Sequence, residues 1–514
     1  MKNSTKIAML VGLSSCVACS ESQTAQESKK PNILFVFVDD LGYADVGFNG
    51  STYYETPNID AMAKESVVFE NSYTYPTSSA SRAALLTGQQ SFRTGVYCVP
   101  VLEKGDSTQS VFSRWTVPTD YKFYSEELDK QGYKSIHLGK WHLVGPYPDE
   151  ELAMNYPFEK ALTQPDPADF SWAPRHKSND IKLKYYPEGR GFDKNVGGTY
   201  RGDPALEIGG YKSKTGGYIA PFSNPFIEQK PDDKWLTDRL TDEAIEFMKE
   251  TKDEPFFINL HYYTVHAPHV QRSEELFDKY YNKEGDPVLG QGIANENYKK
   301  SYAKYASMIE SLDDNFGRMV SFLKESGLDE NTIIVFSSDN GYAMGANNKM
   351  RGKKALIYEG GVRVPTFIYW ANKVNPRRTQ APVSIVDFFP TFIDFAGVKN
   401  YNGVLDGKSL QPLLTQDVEE YKNRPVFWQL SSICQHGKEH QEACTAMRFD
   451  NYKLIQYLAT GEFELYNLAD DPMESINLVE KEPEVAKRLI EKMVNWRKDN
   501  NITLPSSSLA TNKI

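Results

Sequence analysis

The chain has 514 residues, of which 40% are hydrophobic and 25% are charged, and its formal net charge is -11. This balance is typical of a folded protein and excludes a wholly disordered chain. The negative charge excludes a nucleic-acid binder, because phosphate recognition depends on clustered Lys and Arg in a positive field. The length predicts one large domain and a smaller one.

The amino-terminal stretch MKNSTKIAMLVGLSSCVACSES places two lysines and a short apolar run ahead of small residues and cysteine. It predicts a secretory signal over residues 1–19, since the run is too short to span a bilayer. Cys16 or Cys19 would be the lipidated first residue of a bacterial lipoprotein, and plain cleavage without a lipid is the alternative. Residues 20–30 are then a polar tether. We expect an exported protein that meets the membrane only through this lipid.

Five apolar runs predict buried strands of a mostly parallel sheet, because continuous runs are typical of strands covered on both faces. The runs are NILFVFVDD (32–40), YKSIHLGK (133–140), PFFINLHYY (255–263), TIIVFSSDNG (332–341) and VPTFIYW (364–370). Helical patterns separate them, namely TPNIDAMAKES, FYSEELDKQ, LTDRLTDEAIEFMKET and YAKYASMIESLDDNFGRMVSFLKES. The alternation indicates an α/β domain over residues 31–399, with ligands bound beyond the carboxyl ends of the strands.

From about residue 400 the segments become shorter, aromatic and alternating, as in RPVFWQL, TAMRFDNYKLIQYL and FELYNLADDP. They predict antiparallel strands followed by a helix, PEVAKRLIEKMVNWRKDN, in a smaller α+β subdomain over residues 400–500. Residues 501–514 are expected to form a loose tail. Residues 156–229, rich in Pro, Gly and aromatics, predict a long insertion of loops near the site.

Three cysteines lie in the body of the chain. Cys434 and Cys444 bracket CQHGKEHQEAC, whose His436 and His440 also have a spacing that could hold zinc. In an exported protein a disulfide between these two cysteines is favoured over the zinc site. Cys98 is then predicted to be a buried free thiol.

Carboxylates follow two of the predicted strands. Asp39 and Asp40 end the first run, and Asp339 and Asn340 end the fourth. Adjacent like charges repel unless a cation sits beside them, and hard oxygen ligands suit calcium or magnesium better than zinc. Either pair alone could instead cap a helix or a turn. Both pairs together favour a metal site.

Cations and hydroxyl groups accompany these carboxylates. Arg82 follows four hydroxyl residues at the start of a predicted helix, whose free N–H groups attract an anion. Histidine is the natural general acid or base near neutral pH. The other candidates beyond strand ends or in glycine-rich turns are Lys140 and His142 in GKWHL, His266 and His269 in HAPH, and Lys353 or Lys354 in RGKKALIYEGGVRVP. This inventory predicts a site for a small tetrahedral oxyanion ester, sulfate or phosphate.

The stretch SSASRAALLTG resembles the signature of the formylglycine-dependent type I sulfatases of the alkaline phosphatase superfamily. In that signature a Cys or Ser is followed by any residue, Pro or Ala, Ser and Arg, which makes Ser78 the key residue. NILFVFVDDLGYADVG, GKWHL, HAP, SDNGY and KKALIYEGGVRVP also match the family in order, so the resemblance spans residues 31–478. It implies a large mixed, mostly parallel sheet sandwiched by helices, with a C-terminal α+β subdomain on a short antiparallel sheet.

The resemblance also implies roles for individual residues. Ser78 would be converted to formylglycine (3-oxoalanine), whose hydrate is the nucleophile, and Arg82 would stabilise that hydrate. His142 would help to break down the sulfated intermediate. One calcium ion would be held by Asp39, Asp40, Ser78, Asp339 and Asn340. The sulfate oxygens would be gripped by Lys140, His266 and Lys354, with His266 or Lys354 protonating the leaving alcohol. Lys354 is preferred to Lys353 because the family's lysine lies five residues before the Glu of YEGG.

A serine-type bacterial carbohydrate sulfatase is therefore expected to act on a sulfated polysaccharide or oligosaccharide, after processing by a serine-type maturating enzyme. The expected location is the periplasm or outer membrane of a Gram-negative bacterium. The substrate candidates are His269, Arg175, His176, Arg190, Arg201, His436 and His440. One alternative is a phosphatase or phosphodiesterase of the same superfamily, which would need further Asp or His ligands for a metal pair. The other is a catalytically silent surface glycan-binding protein, which would not need the complete catalytic set.

Overall fold

The structure is a computed structural model that describes residue 1 and residues 29–145, 183–205, 216–285, 295–345 and 350–509. The expected signal and lipidation sites, and the substrate candidates Arg175 and His176, lie outside these ranges. Among the described helices, none combines the length and the hydrophobicity needed to cross a bilayer.

The strands of the described ranges follow in chain order. They are β1 (Asn32–Val38), β2 (Val67–Phe69), β3 (Ser72–Tyr73), β4 (Glu103–Lys104), β5 (Lys134–Gly139), β6 (Lys194–Val196), β7 (Phe256–His261), β8 (Thr332–Ser338), β9 (Phe367–Trp370), β10 (Arg377–Thr379), β11 (Val383–Ser384), β12 (Val426–Leu430), β13 (Ile433–His436), β14 (Glu439–Gln441), β15 (Cys444–Phe449), β16 (Tyr452–Tyr457) and β17 (Phe463–Asn467).

The α-helices of the same ranges include all those predicted from the sequence patterns. They are α1 (Pro57–Lys64), α2 (Ser78–Thr87), α3 (Ser91–Thr94), α4 (Tyr124–Lys130), α5 (Leu236–Glu250), α6 (Glu274–Asn282), α7 (Glu296–Glu325), α8 (Glu359–Val362), α9 (Phe388–Phe395), α10 (Glu419–Lys422) and α11 (Pro483–Asp499).

Eight strands form the large sheet, in the order β10-β2-β9-β8-β1-β7-β5-β6. All neighbours are parallel except β9, which runs antiparallel to both β8 and β2. The expected mixed, mostly parallel sheet is confirmed. Strand β1 lies between β7 and β8, so the polar residues that follow these three strands meet at one edge of the sheet.

Helices cover both faces of this sheet, which is why its strands are continuously apolar. Along β1, Ile33, Phe35 and Phe37 belong to one core cluster, while Leu34, Val36 and Val38 belong to the other. Phe388 and Phe392 of α9 pack beside Phe35 on the first face. Leu312 and Phe316 of α7 contribute to the second. Fully burying each side chain of this size contributes roughly 1.5–3 kcal/mol.

The C-terminal subdomain contains an antiparallel sheet of four strands, in the order β12-β15-β16-β17, as expected. Helix α11 covers one face of it through a small core that includes Leu465, Leu489 and Met493. The residues after α11 were expected to form a loose tail, but some of them, up to Leu509, are hydrogen-bonded to the body of the protein. The Ser507 amide donates to the Thr108 carbonyl at 2.9 Å, and the Leu509 amide donates to the Leu458 carbonyl at 2.9 Å.

The expected cysteine pairing is wrong. Cys98 and Cys434 form the disulfide, across 336 residues of sequence, and Cys444 is the buried free thiol. Strand β13, which contains Cys434, pairs with β4 close to Cys98 in the chain, whereas Cys444 lies inside the four-stranded sheet. The zinc alternative fails as well, because a sulfur engaged in a disulfide is no longer a thiolate ligand.

Candidate active site

The carboxylates predicted from the sequence converge at the ends of β1 and β8. Val38 pairs with Ser338, so Asp39 and Asp339 are the next residues on two adjacent parallel strands. Asp39, Asp40 and Asp339 are buried, and one oxygen from each lies within 4.8 Å of the others. Asp40 has a φ of 63°, and its amide donates to Asp339 Oδ1 at 3.1 Å. This left-handed turn folds the chain back so that both carboxylates of the pair reach one point.

Ser78 reaches the same point from another element. It is the first residue of α2, and its Oγ lies 3.1 Å from Asp39 Oδ1 and 3.2 Å from Asn340 Oδ1. Lys140 Nζ donates to Ser78 Oγ at 3.3 Å. The partial positive charge at the start of α2 and the Lys140 ammonium thus both face the Ser78 side chain.

Arg82 lies one helical turn after Ser78, on the same face of α2. The side chain is fully buried, and its Nη2 donates to Asp339 Oδ2 at 2.9 Å. Its Nη1 donates to the Lys140 carbonyl at 3.0 Å and lies 2.9 Å from His261 Nδ1. The guanidinium therefore connects α2 to the ends of three strands of the large sheet.

Two lysines pair with the aspartates that follow β1. Lys140 Nζ lies 2.5 Å from Asp39 Oδ2, and Lys354 Nζ lies 2.8 Å from Asp40 Oδ1. With Arg82 on Asp339, three cations balance three carboxylates in a buried site. Such a set is tolerable only because every charge has a partner.

The pKa values of these groups show unequal compensation. Burial and the charge of Asp339 raise the pKa of Asp39 well above its usual range, despite Lys140. Burial alone would raise the pKa of Asp40, but Lys354 and His266 hold it well below that range. Burial lowers the pKa of Lys140, whereas the pKa of Lys354 is raised, because its aspartate neighbours outweigh the effect of burial. Asp39 is thus the least compensated of the three carboxylates, and a cation added beside it would stabilise its ionised form.

Two histidines lie beside the cluster. His142 has a φ of 61°, and its Nδ1 lies 3.5 Å from Ser79 Oγ. His266 Nδ1 lies 2.7 Å from the Ala267 carbonyl, so that nitrogen carries the proton, and Nε2 lies 3.9 Å from Asp40 Oδ2. Burial and the neighbouring lysines lower the pKa of His266 to about 3 and that of His142 well below its usual value. Both rings are neutral at neutral pH.

The substrate candidates divide by position. Arg190 is buried, stacks 3.5 Å from the Phe123 ring and donates to the Tyr121 carbonyl, so it supports the fold and does not face a ligand. Arg201 pairs with Asp203 at 3.2 Å, and Asp203 lies 3.5 Å from His266 Nδ1. Arg201 is thus at the rim of the cluster.

The remaining candidates are histidines. His269 packs edge-on against Tyr305, whose hydroxyl donates to Asp45 beside the cluster. His436 is half-buried within electrostatic reach of Lys354 and Asp40. His440 is exposed and pairs with Glu442 at 2.8 Å. His436 is therefore within electrostatic reach of the cluster and His440 is exposed, although the sequence gives no reason to distinguish them.

The sequence reasoning missed His261 and Asp203. His261 ends β7 and supports Arg82, and its ring also contacts that of His137, with centroids 5.1 Å apart. Burial, and next the charge of Arg82, lowers its pKa well below the usual value, so the ring is a neutral acceptor for the guanidinium. A histidine within the apolar run PFFINLHYY was a usable signal. Asp203 lies in the predicted loop insertion, where no pattern distinguishes it.

Comparison with known proteins gives matches over nearly the whole chain. A family model described as "Sulfatase" matches residues 31–398, and one described as "N-sulphoglucosamine sulphohydrolase, C-terminal" matches residues 352–499. A "Sulfatase" of Formosa agariphila is 30% identical over 98% of this chain and 95% of its own. An "N-acetylglucosamine-6-O-sulfatase" of Bacteroides thetaiotaomicron is 27% identical over 97% and 92%. The crystal structure of "Ps i-CgsB in complex with k-i-k-neocarrahexaose" superposes with a TM-score of 0.67 at 28% identity, covering 93% of this chain and 94% of that one.

Proposed function

The chain belongs to the sulfatase family and is a sulfuric ester hydrolase, and we propose that its substrate is a sulfate ester of a polysaccharide or oligosaccharide. We further propose that Ser78 is converted to formylglycine and that one calcium ion is bound beside it. The observation that carries the proposal is the position of Ser78 Oγ, which touches Asp39, Asn340 and Lys140 at once.

The residues present fit a hard dication. Three buried carboxylates converge within 4.8 Å, and the Ser78 and Asn340 oxygens adjoin them. Calcium prefers oxygen ligands of this kind. The cation would also change the charge of the site, because the carboxylates are already balanced by Arg82, Lys140 and Lys354. A dication makes the site net positive, as binding of an anionic sulfate ester requires.

Formylglycine would supply an aldehyde hydrate, a nucleophile that an ordinary serine hydroxyl cannot replace. The chain's own residues would hold the ester next to it. Lys140 Nζ is 3.3 Å from Ser78 Oγ, and Lys354 Nζ is 2.8 Å from Asp40 Oδ1, so both ammonium groups would be available to the negatively charged sulfate oxygens. Charge stabilisation by groups fixed in a dry site is the largest catalytic effect available here.

His266, Lys354 and His142 are proposed to take part in proton transfer. His266 Nε2 lies 3.9 Å from Asp40 Oδ2, and Lys354 pairs with the same carboxylate, so we place the departing alcohol beside these two residues. Lys354, whose pKa is raised, would protonate it as an ammonium, whereas His266, with its ring proton on Nδ1, would donate from Nε2 only in its doubly protonated form. His142, next to Ser79, lies on the Ser78 side and would act in breakdown of the sulfated intermediate. Each role requires the group to be within reach of the residue 78 side chain or its ligand.

The alternatives from the sequence are less well supported. A metal-pair phosphatase needs a second group of ligands, and within the described ranges only Asp39, Asp40 and Asp339 form a group of three or more metal-binding side chains. A silent glycan binder would have no use for the buried Arg82, Lys140 and Lys354 pairs, which are costly to bury.

We also propose export to the periplasm or outer membrane and processing by a serine-type maturating enzyme.

The test is co-expression with and without a serine-type maturating enzyme. Matured protein should show a loss of two hydrogens on the Ser78 peptide by mass spectrometry and should release sulfate from a panel of sulfated sugars. Protein of identical sequence made without the enzyme is the matched control and should release none. Full sulfatase activity in a matured Ser78→Ala preparation would overturn the mechanism. Chelation followed by calcium, compared with magnesium, tests the metal.

A further inference from the structure

A β-hairpin of the C-terminal subdomain packs against the segment that carries Lys354. The hairpin consists of β13 and β14, joined by a turn at Gly437. Gln441 Oε1 accepts a hydrogen bond from the Ile357 amide at 2.8 Å. Glu439 Oε1 lies 3.0 Å from Lys353 Nζ. The hairpin thus contacts the Lys354 segment on both sides of Lys354 in the sequence.

The strand register determines which hairpin side chains share the contacting face. Cys434 pairs with Gln441, Gln435 with His440, and His436 with Glu439. Directly opposed residues, and residues two apart on one strand, lie on the same face of a hairpin. His436 therefore shares a face with Glu439 and Gln441, which both contact the Lys354 segment. His440 lies on the opposite face.

The surroundings of the two histidines agree with this assignment. Burial lowers the pKa of His436, Lys354 lowers it further and Asp40 raises it, which places the ring within electrostatic reach of the cluster. Nothing in the described ranges hydrogen-bonds that ring, and it is half-buried. His440 is exposed, with Nε2 2.8 Å from Glu442 Oε1. One histidine is thus available to a ligand beside the cluster, and the other is not.

The hairpin is also held in place. Cys434, two residues before His436, is joined to Cys98 by the disulfide, and Ile433 pairs with Lys104 of β4. A side chain on such an anchored backbone loses little freedom on binding, which is the condition for a specific contact. A neutral imidazole both donates and accepts hydrogen bonds, and so does a sugar hydroxyl.

We propose that His436 is a specificity-determining residue that hydrogen-bonds a hydroxyl of the sugar carrying the scissile sulfate, and that His440 takes no part. This inference rests on the proposed function, because it places a sulfated sugar at Lys354. It assigns the C-terminal subdomain a share in choosing the sugar, whereas the strand ends of the large sheet act on the sulfate.

The test compares matured parent, His436→Ala, His436→Gln and His440→Ala proteins. The substrates are 4-nitrophenyl sulfate, which lacks a sugar, and the member of a panel that the parent hydrolyses fastest. The panel contains N-acetylglucosamine-6-sulfate, N-acetylgalactosamine-6-sulfate and sulfated carrageenan oligosaccharides. Removing one ligand hydrogen bond of about 1.4 kcal/mol corresponds to a tenfold change. We expect His436→Ala to raise KM for the sugar substrate about tenfold and to leave 4-nitrophenyl sulfate hydrolysis unchanged. His436→Gln should recover part of the loss on the sugar substrate.

Three results would overturn the inference while leaving the proposed function standing. In the first, His436→Ala has the same KM for the sugar substrate as His440→Ala. In the second, His436→Ala loses activity on the sugar substrate and on 4-nitrophenyl sulfate equally. In the third, His436→Gln recovers none of the loss although its unfolding midpoint equals that of the parent. Absence of sulfate release by the matured parent from every substrate would instead refute the proposed function, and the inference with it.

Discussion

Replacing Arg82 with Met should destabilise the protein strongly although the substitution preserves most of the side chain's volume. The guanidinium is the partner of Asp339 at 2.9 Å, and both side chains are fully buried. Removing one member of a buried pair leaves an uncompensated charge and costs about 3–5 kcal/mol. The Lys140 carbonyl and His261 Nδ1 lose their donor as well, but these effects belong to one network and do not add.

The expected shift in melting temperature follows from the size of the chain. An unfolding entropy of about 2.1 cal/mol/K per residue gives about 1.1 kcal/mol/K for 514 residues, so 3–5 kcal/mol corresponds to about 3–5 °C. Differential scanning fluorimetry in chelator measures it. Arg488→Met is the matched control, because Arg488 pairs with Asp450 at 3.3 Å on the surface, where such a pair contributes about 0–1 kcal/mol.

Calcium distinguishes this account from a simple packing defect. The Arg82→Met site keeps three carboxylates with two cations, so a dication should stabilise it more than it stabilises the parent. An Arg82→Met variant that melts within about 1 °C of Arg488→Met in chelator would show that no uncompensated buried charge remains. Equal increases by calcium in the melting temperatures of Arg82→Met and the parent would contradict the expected charge effect as well.

Two further predictions concern stability away from the site. Burial raises the pKa of Glu103 from 4.5 to about 8, so between these pH values the folded state holds a proton that the unfolded state has released. The free energy of unfolding therefore falls as the pH rises from about 4.5 to about 8. Urea unfolding at pH 5 and pH 8 should show the parent losing about 3–4 kcal/mol relative to Glu103→Gln, and parallel losses in the two proteins would contradict the prediction. Reduction of the Cys98–Cys434 disulfide should lower the free energy of unfolding by about 2–5 kcal/mol in the parent, whereas a Cys98→Ser/Cys434→Ser variant should not respond to reductant.

The large sheet was predictable because its signal is local. Five apolar runs became β1, β5, β7, β8 and β9, since a strand buried on both faces must be apolar throughout. The convergence of Asp39 with Asp339 followed from the same patterns, because the carboxyl ends of adjacent parallel strands meet. What was not predictable is the direction of β9, which depends on the path of the chain between strands.

The wrong prediction of the disulfide pair likewise comes from contacts between distant parts of the chain. Cys434 and Cys444 are close in sequence, but one lies on β13 and the other inside the four-stranded sheet, and the pairing with Cys98 depends on contact between β4 and β13. A spacing of ten residues carries no information about such a contact. The same limit applied to His436 and His440, whose faces depend on the hairpin register.

The placement of Arg82 explains why the site needs residues that carry no chemistry themselves. A cation fixed on α2 opposes Asp339 in a buried site, and the Lys140 carbonyl and His261 Nδ1 accept hydrogen bonds from its Nη1, whereas its Nε–H has no hydrogen-bond partner among the described residues. His261 must then be a neutral acceptor, which burial and the Arg82 charge itself enforce. Substituting His261 with Asn, an acceptor of similar reach, should therefore be tolerated better than Leu, which leaves a buried N–H without a partner. The histidine at the end of β7 is in this sense a positioning residue for the guanidinium, whose charge it helps to fix beside Asp339.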